Sequence, residues 1–258
     1  MNNYNEPKES ISNLLEEYLE TKKELRAQTY KDAKSKLRRF LVWIEENRLE
    51  SVDVIAAEAF IRTVPAGSYN HFLRHCKGLY NWANKKGYTK VNPFAWISSR
   101  KREHREVSVL SCEESKALLM AAESLYDGGL LAYVAITLFA GLRPDSEMKY
   151  LSWKDINLAD AEIRVTKGKT RIPRTVDMPE NLVKWLRKCD PSRPIYPKNF
   201  RRKWAKVRNK AGFKGGAAKT PQEKAQEAGL KPWVKDYTRH KAISYRVRQT
   251  GDIHKTAT

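Results

Sequence analysis

Apolar positions in the first hundred residues recur with the spacing of amphipathic helices. Ile11, Leu14, Leu15, Tyr18 and Leu19 fall at i, i+3, i+4, i+7 and i+8, which puts them on one helical face. A second stripe follows Thr29 and runs through Tyr30, Ala33, Leu37, Phe40, Leu41 and Ile44. Its outer side carries Lys31, Lys34, Lys36, Arg38 and Arg39. A short helix is predicted over residues 54–63, stopping near Pro65-Ala66-Gly67. Ser68 is placed to cap the next helix, whose apolar positions are Phe72, Leu79, Tyr80 and Ala83, and which ends by Gly87 and Asn92-Pro93. The pattern predicts four helices with short connections.

Residues 98–107 (SSRKREHREV) break the pattern, with almost nothing to bury. They read as an interdomain linker whose charges suit a path across a nucleic-acid backbone. Beyond them Ser111 and Glu114 form an S-x-x-E capping box opening a helix to about Glu123. Residues 129–140 read as a buried helix running into Gly141-Leu142-Arg143-Pro144. Short strands are expected around 163–166 and 174–178, joined by a turn at Gly168. Helices resume at 180–188 and 200–211, residues 212–230 read as a flexible Gly- and Lys-rich loop, and a last helix begins near Asp236. The predicted organisation is a helical domain over 1–97, a linker over 98–107, and a second domain over 108–258. The fold class is mainly α, with an α+β second domain carrying a small antiparallel sheet. No internal repeats are visible.

At 41% hydrophobic and 31% charged, with seven Trp, twelve Tyr and seven Phe among 258 residues, the chain has the composition of a folded protein. No apolar run reaches the length of a membrane span, and the polar start MNNYNEPKES is neither a signal nor a transit peptide. Cys76, Cys112 and Cys189 lie far apart, which argues against a disulfide scaffold or thiolate zinc site and fits a reducing cytoplasm. His71 and His75 share a helical face but have no further ligand at zinc spacing, so no metal is expected. No P-loop, dinucleotide fingerprint or Ser-His-Asp arrangement is present, and no cofactor is expected.

Charge changes the picture most. Fifty Lys and Arg against thirty Asp and Glu give a net charge of +20. The last sixty residues hold sixteen basic and four acidic side chains, a net of +12. Excess positive charge focused in one segment is the footprint of a polyanion, because neutralised phosphates release counterions. A nucleic acid is the expected partner; a membrane surface or simple solubility is the bland alternative. The helix starting at Phe200 carries Arg201, Arg202, Lys203, Lys206 and Arg208 around Trp204 and reads as a phosphate-contacting element.

Three basic residues have unusual contexts. Arg143 sits at the mouth of the apolar helix in GLRPDSEMKYLSW, with Glu147 four residues on, where it can orient the guanidinium. Lys169 lies at the turn between the strands, in VTKGKTRIPRTVDM, with Lys167 beside it. Arg239 lies in KDYTRHKAISY, flanked by Ile243 and Val247. Taken singly, each reads best as a surface charge or structural ion pair.

Together, in this order, they resemble the tyrosine recombinase, or phage integrase, family. GLRPDSEMKYLSWKDINL is similar to the family's first-arginine box, the strand–turn–strand with Lys169 to the hairpin bearing its lysine, and Arg239-His240 to its second-arginine box. The N-terminal bundle, with Thr29, Ser68, Asn70 and Arg74, is similar to the DNA-contacting core-binding domain. The resemblance implies site-specific recombination or integration by a mobile element, through strand cleavage, a 3′-phosphotyrosyl intermediate and rejoining, with self-association on DNA up to a tetramer. Arg143 and Arg239 would clamp the non-bridging oxygens, and Lys169, or the neighbouring Lys167, would protonate the departing 5′-oxygen. Two departures stand out. Asp236 occupies the place of a His, Lys or Asn, and suits capping or orienting Arg239 better than proton transfer; His240 either assists or packs. The family's late His or Trp and its nucleophilic tyrosine lie one helix beyond the second arginine, so a chain ending at Thr258 is expected to bind DNA without cutting it. Tyr237 and Tyr245 are not in the nucleophile's place. A non-catalytic DNA-binding relative and a type IB topoisomerase are the rival readings.

Overall fold

The structure, a computed structural model, describes residues 10–101, 108–168, 172–216, 220 and 227–251. The chain divides into two compact units, residues 1–104 and 105–258.

The first unit holds α1 (Ile11–Lys22), α2 (Ala27–Glu46), α3 (Val54–Thr63) and α4 (Tyr69–Lys85). Ser10 and Asp53 cap α1 and α3, accepting from the backbone N–H of Asn13 (3.3 Å) and of Ala56 (2.7 Å). The apolar stripes meet in one core, with Leu15, Leu37, Phe40, Phe60 and Phe94 fully buried. Its centre is a ring network in which Phe40 lies 4.8 Å from Phe60 and 5.4 Å from Phe94. Tilted and edge-on rings at such distances add to the burial of the side chains themselves. Asn92 turns the chain back into this core: its Oδ1 accepts from Phe94 N (2.9 Å) while its Nδ2 donates to Asn81 Oδ1 (2.7 Å).

Three expectations need revision here. Helix α2 begins at Ala27, so Thr29 lies inside its first turn, exposed, and opens nothing. Ser68 does precede α4, but it closes a short 3-10 turn over Ala66–Ser68, and its side chain makes no capping bond. The start of the 98–107 segment is tied to the bundle. Asn70 donates to Arg100 O (2.8 Å) and accepts from Arg100 N (2.9 Å), and Tyr69 OH donates to Ser98 O (3.3 Å). Residues 102–107 lie outside the described residues.

The second unit contains α5 (Cys112–Ser124), α6 (Leu131–Phe139), β1 (Ile156–Asn157), β2 (Glu162–Val165), β3 (Arg174–Asp177), α7 (Glu180–Leu186), α8 (Phe200–Lys210) and α9 (Tyr237–Thr250). The Ser111–Glu114 capping box is formed in both directions. Helix α6 is apolar on all sides and packs against α5, α7 and α9. The strands form an antiparallel sheet in the order β1-β2-β3, pairing Ile163 with Val176 and Val165 with Arg174. Strand alternation sends Ile163, Val165 and Val176 into the core. The 212–230 segment is anchored at its base, contrary to a wholly loose loop. Phe213 and Lys231 form a parallel bridge, and Gly215 N donates to Glu227 Oε1 (2.9 Å).

Cys76 is buried in the first core, and burial pushes its thiol well up. Cys189 is half-buried, with its thiol pushed up to about 11 by burial and by Glu123. Cys112 is exposed at the head of α5. Among the described residues there is no helix long and apolar enough to cross a membrane, and no cluster of metal-ligating side chains.

Candidate functional site

The site is built where α6 runs out. Gly141 adopts φ +67°, a left-handed turn that suits glycine, and Leu142 stays fully buried. Arg143 therefore leaves the core at a fixed point. Its backbone N–H donates to Glu147 Oε2 (2.8 Å) and its Nη1 to Glu147 Oε1 (2.6 Å). Glu147 is the hub, since its side chain is 0% exposed. Arg174, at the head of β3, reaches the same carboxylate with both terminal nitrogens, Nη1 to Oε1 at 2.8 Å and Nη2 to Oε2 at 3.1 Å. Gly168 lies directly against it: a Cβ there would come within 3.1 Å of Glu147 Cγ, so the chain packs tightly on the hub at this point.

Burial alone would raise the Glu147 carboxyl. Hydrogen bonds from Arg174 and Arg143 outweigh that and hold it down to about 2. The carboxylate is therefore ionised at any physiological pH. Arg239, in the first turn of α9, donates through Nη1 to Gly141 O (2.8 Å). Burial lowers its pKa, and so does the field of Arg143 and Arg174, with Glu147 acting in the opposite sense. Two guanidiniums thus bond one carboxylate while a third, on Gly141 O, lies in their field; the three exceed Glu147 by two charges, an excess that Asp236 offsets in part. Such a cluster is electrostatically incomplete without an anion, and planar guanidiniums match phosphate oxygens in pairs.

Arg143 and Arg239 are thus brought together. Arg174 is the member that sequence reasoning missed. The signal was present in the strand: alternation puts Arg174 on the inward face of Val176, and an inward arginine calls for a carboxylate. Lys169 lies outside the described residues. Lys167 lies two residues past β2; it is exposed, with Nζ 5.8 Å from the Tyr150 ring centre. Asp236 has φ +58° and makes no side-chain cap on α9; its carbonyl accepts from His240 N (2.9 Å). Capping through its carboxylate, one of the expected roles, is not what Asp236 does. His240 is half-buried, and its Nδ1 is enclosed without a hydrogen-bond partner. Neither tyrosine of α9 shares the face of Arg239: at about 100° per residue Tyr237 and Tyr245 stand roughly 160° and 120° around the helix from it.

The other basic candidates fall into two groups. Arg201, Arg202 and Lys206 are exposed on α8, and Lys203 lies with Nζ 5.3 Å from the Tyr126 ring. Arg208 is different. It sits over Trp204 (5.5 Å) and Trp233 (5.3 Å) and donates to Gly215 O, so it holds the base of the 212–230 segment rather than offering itself to a phosphate. In the first unit Arg74 is exposed beside Asp32 (3.9 Å), and Asn70 has its amide committed to Arg100.

Comparison with known proteins places this geometry. No curated protein matches the chain in sequence. Among solved structures, a lambda integrase (75–356) dimer bound to a COC′ core site superposes with a TM-score of 0.73 at 15% identity, covering 96% of this chain and 93% of the other. The Tn1549 transposon integrase in complex with transposon right end DNA gives 0.70 at 14% identity, over 96% and 90%. A lambda integrase tetramer bound to a Holliday junction gives 0.70 at 15% identity, over 95% and 75%. The sequence profile of the phage integrase family spans residues 108–242, which takes in Arg143, Glu147, Arg174 and Arg239. More than half of the chain, including the whole arginine–glutamate cluster, is accounted for by that profile: the chain belongs to the phage integrase family.

Proposed function

We propose that the protein is a site-specific DNA recombinase of the tyrosine type, acting on double-stranded DNA in the cytoplasm and self-associating there. The observation that carries this is the two-charge excess at Arg143, Arg174 and Arg239 around the buried Glu147. In strand transfer an attacking hydroxyl puts negative charge on the non-bridging oxygens of a phosphodiester, and donors already fixed in place stabilise it with little reorganisation. Arg143 and Arg239 present the donors, and Arg174 holds Glu147 so that Arg143 keeps its orientation. The departing 5′-oxygen needs a proton, for which the hairpin lysines Lys167 and Lys169 are the candidates. Lys167 has in its favour that its neighbour Gly168 rests on Glu147. The exposed basic face of α8 adds sequence-independent affinity.

The test is binding of labelled duplex DNA across a salt series, together with a nicked suicide substrate. Binding should weaken steeply as salt rises; absent or salt-independent binding would overturn the reading. A detergent-resistant protein–DNA adduct shows cleavage by this chain. Binding without an adduct supports the second reading, a non-cutting DNA-binding member of the family. That reading is favoured by Asp236, whose carboxylate repels a phosphate where a proton donor would be expected. A 5′-bridging phosphorothiolate substrate, whose leaving group needs no proton, identifies the acid: it rescues whichever of Lys167→Ala and Lys169→Ala has lost it.

A further inference from the structure

The segments that deliver Arg143 and Arg239 continue into a second concavity. Pro144 and Asp145 follow the first arginine, Asp236 to Thr238 precede the second, and all border a cleft of about 330 Å³ closed on its far side by α8. One wall is flat and aromatic. Tyr196 stacks on Phe200 at 4.0 Å and 21°, and Phe200 and Trp204 lie within 22° of parallel. Trp233 stands across the end, at 89° to Trp204. Two carboxylates, Asp145 and Asp236, supply acceptors, and Lys149, Arg201 and Lys235 stand exposed at the rim.

Each part matches one part of a nucleotide. Phe200 and Trp204 are 9% exposed and packed on their neighbours, so the half-buried Tyr196 and Trp233 are the rings that can accept the face of a base. Carboxylates accept from the exocyclic amine of a base, as acidic side chains do from cytosine. The rim cations suit its phosphates. A lysine or arginine from a partner protein would also suit the rings and carboxylates, but it would meet three cations against two anions. In sequence the lining of the cleft adjoins both arginines, Asp145 two residues after Arg143 and Tyr237 two residues before Arg239.

We propose that this cleft captures one unstacked base of the bound DNA, with preference for an amine-bearing base over thymine. The proposal rests on the DNA-binding reading above. Capture removes a base from its pair, so it should be easiest where pairing is already lost.

The test uses the whole chain and short labelled duplexes of one arbitrary sequence. In the first, a central cytosine is paired with guanine; in the second it faces an abasic site. In the third both bases of the central pair are missing. The duplex with unpaired cytosine should bind about tenfold tighter than the paired one, a fraction of the unpairing energy recovered. It should also quench tryptophan fluorescence. The duplex without the central base should show no gain, and unpaired thymine a smaller one. In Asp145→Asn, a change at an exposed position, the cytosine gain should fall to that of thymine; Lys235→Ala should reduce both gains. Equal affinity for the three duplexes overturns the capture, and so does a gain in the base-less duplex, which would reflect flexibility alone. Saturable quenching by tetramethylammonium, with none by unpaired DNA, would assign the cleft to a cationic partner instead. Failure to bind any duplex overturns the DNA-binding reading itself, and is separable from these outcomes.

Discussion

Asp32 in the first unit and Glu147 in the second are each surrounded by basic side chains, yet they do different work. Asp32 meets His75 at 3.0 Å, Lys36 at 3.5 Å and Arg74 at 3.9 Å, and its side chain is 35% exposed. Glu147 meets Arg143 at 2.6 Å and Arg174 at 2.8 Å with its side chain wholly enclosed. Water screens the first cluster, and each of its pairs contributes little. In the second the carboxylate is enclosed, so its charge has no water to turn to and depends on Arg143 and Arg174, which keep 29% and 19% of their side chains exposed. Charge composition alone makes the two look alike; burial makes one a surface feature and the other a scaffold for chemistry.

The largest test of that contrast is Glu147→Gln. Removing one partner of a buried cluster leaves Arg143 and Arg174 without their counter-charge, and the second unit should lose about 3–5 kcal/mol. Asp32→Asn should cost the first unit less than about 1 kcal/mol. Calorimetry of both variants reads this, and equal losses would break the comparison. Acid sharpens it. Because the folded Glu147 carboxyl is held down to about 2 from an ordinary 4.5, its contribution is complete above pH 4.5 and disappears as pH falls toward 2. The deficit of Glu147→Gln should shrink over that window.

Next in size is Arg174→Ala, expected to cost about 2 kcal/mol of stability through lost charged hydrogen bonds. It should also reduce adduct formation, or single-phosphate engagement where no adduct forms, more than duplex affinity. A loss confined to stability would make Arg174 purely structural. Arg143→Ala should leave duplex affinity within about tenfold, roughly 1.4 kcal/mol, because many other basic contacts remain. Complete loss of binding would contradict that.

The smallest effect belongs to His75. Burial lowers its pKa below 6.5 against the pull of Asp32, with Arg74 and Lys36 adding to the lowering. Protonation therefore favours the unfolded chain: the first unit should be fully stable above pH 6.5 and lose stability as pH falls below it. Denaturant midpoints of the first unit between pH 7 and pH 5 should drift downward in the parent and less in His75→Gln.

The helical stripes were legible because periodicity reports which face is buried. Ile11 to Leu19 and Tyr30 to Ile44 define α1 and α2, and the mainly helical fold with a small antiparallel sheet follows from the same reading. Helix starts were less so. Arg26 precedes α2 without any capping side chain, so nothing local marks Ala27 as its first residue, and Thr29 offers a false signal. Arg143 was legible from its place beside an apolar helix. Its partner Arg174 comes from 27 residues past Glu147, and pairings across such a separation are decided by the register of β2 on β3, which composition does not encode. Arg208 shows the converse: Arg201, Arg202 and Lys206 on the same helix are exposed, while Trp233 and Gly215 from other segments draw it inward.

The cysteines have a practical consequence. Cys76 is sealed in the first core and Cys189 is half-buried with a raised pKa, while Cys112 is open at the head of α5 with Lys241 Nζ 3.8 Å from its sulfur. A thiol-directed dye should therefore attach at one known point next to α9, without any engineered substitution. The same openness makes purified material prone to covalent pairing in air, so molecular masses in solution are best read with reductant present.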